Sequence, residues 1–292
     1  MAQHKARARA GKYGEGSAVE LDADLLGHRA RVERPVVVPT VPNVARMYDF
    51  LLGGKDNYAC DRAAVAEVLR SNQAAELCAL ENRAFLCRVV RFLAGAGIRQ
   101  FLDIGSGFPA ESNVHEVAQR AAPDALTVYV DYDPVVLTHA RALLATDART
   151  DVVCEDMRRP EKILQEAAGL LDFGEPVAVL LVASLHFVTT ADDPYGIVAT
   201  LMDATVPGSY LVVSHVLETA GTRAAVGGYE GASAPVALRT PEEIARFFGV
   251  AGTDLVEPGL VRVPLWRPEM HPELACKDAE LVDVLGGVGR RA

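Results

Sequence analysis

The segment Phe101-Leu102-Asp103-Ile104-Gly105-Ser106-Gly107-Phe108-Pro109 limits the possible folds more than any other part of the chain. A short apolar run that ends in an acid and breaks into a glycine-rich turn reads as the carboxyl end of a buried parallel strand entering a βα unit. The sequence around it agrees. From Arg99 onward, short β-branched runs alternate with helical stretches, the signature of βαβ units and a parallel sheet. The runs predict strands over 100–104, 126–131, 151–155, 176–184 and 208–215, with helices at about 110–121, 134–145, 159–168 and 192–204. Pro109, Pro134 and Pro160 stand at or near the first turns of the first three helices, where a missing N–H costs nothing. Val177 to Val182 is apolar on both faces, so this strand is central.

Upstream of that sheet the pattern is helical. Residues 1–34 are rich in Ala, Gly and Arg and lack apolar periodicity, which predicts a flexible, solvated head. Order is expected to begin near Val36 to Val41, followed by a helix capped by Asn43 and ended by Gly53-Gly54. Two more helices follow at roughly 61–69 and 73–94, so residues 35–97 read as a helical cap and 98–292 as an α/β domain. Past His215, the segment 219–237 collects glycines without a clear period and reads as a long loop. Thr240-Pro241-Glu242-Glu243 then forms a capping box opening a helix to Phe248, and two strand-like runs, 254–261 and 282–289, close the chain.

Bulk properties exclude several classes. Half of the 292 residues are hydrophobic, enough for a substantial core, while a net charge of −10 argues against general affinity for nucleic acid. No apolar stretch is long enough to span a membrane and no signal-peptide core is present, so the expected location is cytoplasmic. The five cysteines form no CxxC and no metal-like grouping, and are expected to be reduced and mostly buried.

The chemistry lies at the predicted strand ends. Gly105 and Gly107 let the backbone approach a ligand closely, Ser106 sits between them, and the following helix would offer free N–H groups. With Ala110 the turn also satisfies G-x-G-x-x-G/A, so a dinucleotide site must be weighed. Asp103 is informative here: dinucleotide turns usually place an apolar residue there, whereas an acid would meet the ammonium group of S-adenosylmethionine (SAM). Asp131 ends the next strand, where a carboxylate accepts both hydroxyls of a ribose. Asp133 is the neighbouring alternative, although Pro134 favours it as a helix cap. After the third strand, Asp156 is placed to accept from an adenine amine and Met157 to cover the ring. His186 follows the fourth strand at the carboxyl edge and is the candidate general base, because an ordinary histidine pKa suits that task. His215 is the weaker competitor, and Ser184 a further cofactor contact.

The motif Asp103-x-Gly105-x-Gly107 with Asp131 and Asp156 resembles the class I SAM-dependent methyltransferases. The stretch from Val41 to Tyr58, then Asn82-Arg83-Ala84-Phe85-Leu86, Tyr129-Val130-Asp131-Tyr132-Asp133-Pro134, Val256 to Val261 and Trp266-Arg267-Pro268 is similar to an actinobacterial S-adenosyl methyltransferase family, formerly a domain of unknown function. The resemblance implies a Rossmann-like, seven-stranded, mostly parallel sheet with helices on both faces and an antiparallel last strand, 254–261 and 282–289 forming its last hairpin. It also implies that the N-terminal helices close over the cofactor with Tyr48, Asn57, Tyr58 and Arg83 facing the pocket, and that Tyr132 joins the cofactor contacts.

The expected function is SAM-dependent methyl transfer to a small molecule, without metal, the 219–237 loop forming part of the substrate entrance. A SAM-binding protein without turnover and an NAD-dependent oxidoreductase are the competing readings. Asp103 and Asp156 disfavour the latter.

Overall fold

The alternation of apolar side chains along the strands sets which helices cover which face of the sheet. The computed structural model describes residues 40–145, 147–270 and 276–292, so the head at 1–34 and the expected onset of order near residue 36 lie outside the described residues. The strands are β1 (Gln100–Ile104), β2 (Leu126–Asp131), β3 (Thr150–Cys154), β4 (Ala178–Val182), β5 (Tyr210–Val216), β6 (Thr253–Leu255), β7 (Val261–Arg262) and β8 (Val284–Arg291). The sheet runs β3-β2-β1-β4-β5-β8-β6, with β7 also paired to β8. The first five strands are parallel, and β8 runs antiparallel to β5, β6 and β7.

Phe101, Tyr129, Ala178 and Leu180 point to a face covered by α3 (Ala75–Gly95), α4 (Val114–Ala121) and α5 (Pro134–Leu143). Leu102, Ile104, Val128, Val179 and Leu181 point to the other, beneath α6 (Pro160–Ala167), α7 (Pro194–Asp203) and α9 (Pro241–Val250). A strand has period two, so adjacent residues serve opposite cores. A third, smaller cluster joins α1 (Val44–Leu51), α2 (Ala59–Ser71) and α8 (Ala220–Ala225) through Met47, Leu51, Val65, Val68 and Ala225.

Four expectations change. The run 254–261 is not one strand but two short ones sharing the far edge of β8, which makes eight strands across seven positions. The next run begins two residues later than expected and lies inside the sheet, where its glycines matter: a Cβ on Gly286 would stand 2.7 Å from Val263 and 2.8 Å from Phe85. The 219–237 segment is partly helical. Thr219 caps α8 in a box with Thr222, and a short 3-10 turn, Val226–Tyr229, follows. Lastly, none of the five cysteines is fully buried, and Cys154 is exposed, because the pleat turns it out of the edge strand β3.

Candidate active site

The loops after β1, β2, β3 and β4 meet α1, α3 and α8 around a cavity of about 270 Å³. Asp103, Asp131 and Asp156 all line it, from three strands adjacent in the sheet. Gly105, Ser106, Gly107, Tyr132, Met157 and Ser184 line it as well, as do His186 and, from the helical cap, Tyr48 and Arg83. Asn57 and Tyr58 do not. Asn57 turns back to donate to Asp49 Oδ2 and Gly54 O, because the polar Gly-Gly-Lys-Asp-Asn-Tyr connector folds around the Asp49 carboxylate. Tyr58 lies outside, under the Arg46 guanidinium that pairs with Asp61.

The turn after β1 is tight for a steric reason. Gly105 has φ +76°, and a Cβ there would stand 2.7 Å from Ser184 Cβ and 3.1 Å from Met157 Cε. Its N–H and that of Ser106 both return to Val130 O, fixing β1 against β2. The expected contribution of the next helix is absent. α4 starts at Val114, seven residues beyond Gly107, and its first N–H groups are taken by Asn113 and the Tyr129 hydroxyl. Arg83 secures the intervening loop by donating to Glu111 O and Ser112 O.

The acids differ in environment. No donor reaches the Asp103 carboxylate among the described residues; burial pushes its pKa up to about 7, against the pull of Arg83. Asp131 accepts from Gly107 N at 3.0 Å and Asp133 N at 2.9 Å, yet burial still holds it at about 6. Each of its oxygens keeps a lone pair. Burial also acts on Asp156, but bidentate contact with Arg158 outweighs it and lowers the pKa. Asp133 lines the cavity too and caps α5, accepting from Val135 N and Val136 N.

At the end of β4, Ala183 takes φ +54°, held by Ser214, whose carbonyl and hydroxyl both accept from the Ala183 N–H. Positive φ at a non-glycine residue costs of order 1–3 kcal/mol and clusters at functional sites. The next residues form a 3-10 turn, Leu185–Phe187, carrying His186. Burial, together with the Arg239 charge, drives the His186 pKa down to about 3, so the ordinary value expected from the sequence does not hold. His215 is outside the cavity wall. It accepts from Arg239 Nη1 at Nε2, 2.7 Å away, which leaves its Nδ1–H to donate to Val216 O.

Two residues escaped the sequence reading. Asn82 on α3 accepts from Ser214 and donates to the Tyr48 hydroxyl, tying cap to sheet. Arg239, buried and forming no salt bridge among the described residues, donates to Leu185 O and Val188 O and so braces the His186 turn. The S-adenosyl methyltransferase family model matches residues 31–292.

The chain belongs to the S-adenosyl methyltransferase family.

Two solved structures are similar over most of their length. A protein of Thermobifida fusca YX assigned as a methyltransferase is 44% identical, with 86% of this chain and 96% of that one covered and a TM-score of 0.78. A DUF574 family protein of Streptomyces avermitilis MA-4680 is 39% identical, with 86% and 98% covered and a TM-score of 0.81. No curated protein matches the sequence. The protein is thus a SAM-dependent methyltransferase, and the dinucleotide oxidoreductase reading falls. No helix among the described residues is long and apolar enough to cross a membrane.

Proposed function

We propose that this family member methylates a small molecule held in the cavity between the strand ends and the helical cap formed by α1, α2 and α3. The observation that carries the reading is the convergence of Asp103, Asp131 and Asp156 on one cavity beside the Gly105 turn. The donor set fits SAM. Asp103 is a buried carboxylate awaiting a cation, Asp131 keeps acceptor capacity for two hydroxyls, and the buried Ser106 and Ser184 hydroxyls have no hydrogen-bond partner. The wall at Gly105 has space only because no Cβ is present.

SAM, when bound, supplies an electrophilic methyl group on a sulfonium. The residues of the chain do the holding: Asp103 with Arg83 beside it takes the amino-acid end, Asp131 with Tyr132 the ribose, and Asp156 with Met157 the base. Tyr48, Gly107 and Ser184 complete the enclosure. His186 faces the acceptor. Neutral at pH 7, its imidazole accepts a hydrogen bond at the unpartnered Nδ1 and orients the reacting group, while a pKa of about 3 makes it a weak proton store. Positioning of this kind can supply on the order of 7–11 kcal/mol of a barrier. No disulfide joins cysteines among the described residues, which suits a reducing compartment, and we place the enzyme in the cytoplasm.

Calorimetry with S-adenosylhomocysteine (SAH) tests the reading. Wild type should bind and Asp131→Ala should lose most of that affinity. Equal binding by both would mean the ligand sits elsewhere.

A further inference from the structure

The chemical class of the acceptor is written in the half of the cavity that the carboxylates do not occupy. Charged side chains gather on the strand-end side, at Asp103, Asp131, Asp133, Asp156, Arg158 and Asp192, and Arg83 of α3 carries its guanidinium to that side, onto Glu111 O and Ser112 O and beside Asp103. The cap side is different. Leu51, Val68, Ala79, Leu86, Val216 and Ala225 form its wall, and four of these belong to the separate apolar cluster of α1, α2, α3 and α8. Its single carboxylate, Asp283, is already matched by Arg262 at 2.8 Å and by the Thr219 hydroxyl at 2.8 Å. Asn82 and Thr222 are likewise satisfied within the protein.

Two polar groups remain free there. His186 Nδ1 is buried without a partner. The Tyr229 hydroxyl makes no hydrogen bond among the described residues, and burial raises its pKa to about 12, so it stays protonated. Between them stands Phe187, its ring centroid 4.3 Å from that of His186 and 6.2 Å from that of Tyr229. A charged ligand placed here would lose its hydration with no counter-charge to replace it, a cost of several kcal/mol. An apolar ligand gains from the same wall, and flat ring contacts add about 0.5–1.5 kcal/mol each.

We infer that the acceptor is an uncharged, predominantly apolar, ring-bearing molecule with one protic group, which His186 Nδ1 and the Tyr229 hydroxyl address while Phe187 contacts the ring. The inference rests on the proposed placement of the cofactor, and its test separates the two.

The full-length protein, with and without saturating SAH, is titrated with N-phenyl-1-naphthylamine and with 8-anilinonaphthalene-1-sulfonate. These two fluorescent probes share a ring system and differ by one sulfonate. The neutral probe should bind one per chain with a blue-shifted emission, at least roughly tenfold tighter than its sulfonate. Phe187→Ala should weaken it about two- to tenfold, the range of one lost ring contact. Tyr229→Arg supplies a cation and should reverse the preference, and it serves as the second variant should Phe187→Ala not fold. Equal or tighter binding of the sulfonate overturns the inference, as does absent neutral-probe binding or affinity indifferent to both substitutions. Failure of SAH to bind, with neutral-probe selectivity intact, removes the cofactor placement and leaves the apolar chamber standing.

Discussion

The ends of β1 to β3 and the ends of β4 and β5 belong to one sheet, yet burial has opposite consequences in them. At the first, it raises the pKa of Asp103 and Asp131; at the second, it lowers that of His186 and His215. Desolvation always disfavours the charged form, so the same force leaves acids short of a cation on one side and bases neutral on the other. The difference teaches how the cavity divides its labour. In the proposed reading one side meets the cofactor by charge and hydrogen bonds, while the other, where Arg239 holds two backbone carbonyls and a neutral histidine, offers an uncharged wall to the acceptor.

The largest expected effect breaks the charged side by steric means. Gly105→Val requires a β-branched residue at φ +76° and directs its Cβ into Ser184. SAH affinity should fall more than about a hundredfold, and calorimetry on a variant whose circular dichroism matches wild type would read it. Near-normal affinity would show that the turn does not border the ligand.

The charge itself gives the next effect. With a pKa of about 7, Asp103 is mostly neutral at pH 6 and mostly ionised at pH 8, whereas a bound ammonium needs the carboxylate. SAM affinity should therefore rise roughly tenfold between those pH values, and Asp103→Asn should flatten the profile at the low-affinity end. Stability of the ligand-free protein runs the other way. The folded pKa lies above the ordinary 3.8, so the folded state holds its proton more tightly and loses stability as pH rises from about 4 through 7. Thermal shifts produced by SAM should widen over the same window. A pH-independent shift would mean that Asp103 does not meet the cation.

Arg239→Gln addresses the neutral side. It strands Leu185 O, Val188 O and His215 Nε2, each unpaired group costing about 1–3 kcal/mol, partly offset because a desolvated cation is removed. The net loss should be about 2–3 kcal/mol, and the His186 pKa should rise once the charge is gone. Chemical denaturation and a histidine NMR titration measure the two separately. A destabilised protein with an unmoved His186 would reduce Arg239 to a packing role.

How much of this was legible in the sequence differs between the same two regions. The limits of β1 and β2, the Asp133 cap and the three carboxylates follow from local rules: period-two alternation, proline at a first turn, an acid ahead of a glycine turn. The β4 and β5 side depends on contacts between distant segments. Arg239 precedes an obvious helix cap and gives no local sign that it will be buried under Leu185. α8 is six residues long, too short to show a period, and is stabilised by packing on α2 that no window of sequence reveals. The His186 position was readable, but its pKa was not, because that depends first on burial by distant segments and then on a charge 53 positions away.

The smallest expected effect tests the joint between the two sides. The Tyr48 hydroxyl accepts from Asn82 and donates to Ala79 O at 3.2 Å, while Asn82 accepts from Ser214, whose hydroxyl oxygen receives the strained Ala183 N–H. Tyr48→Phe keeps the ring and removes one link, which should cost about 1 kcal/mol in stability and change SAH affinity by less than about threefold. Asn82→Ala removes the centre of the relay and should cost more, since it leaves the Ser214 hydroxyl hydrogen buried without its acceptor beside β4. A double-mutant cycle between the two positions should then show coupling, because removing Asn82 has already broken the contact that Tyr48 makes. Strict additivity would mean that the helices of the cap and the strand ends are held together by packing alone, and that the two sides of the cavity respond to ligand independently.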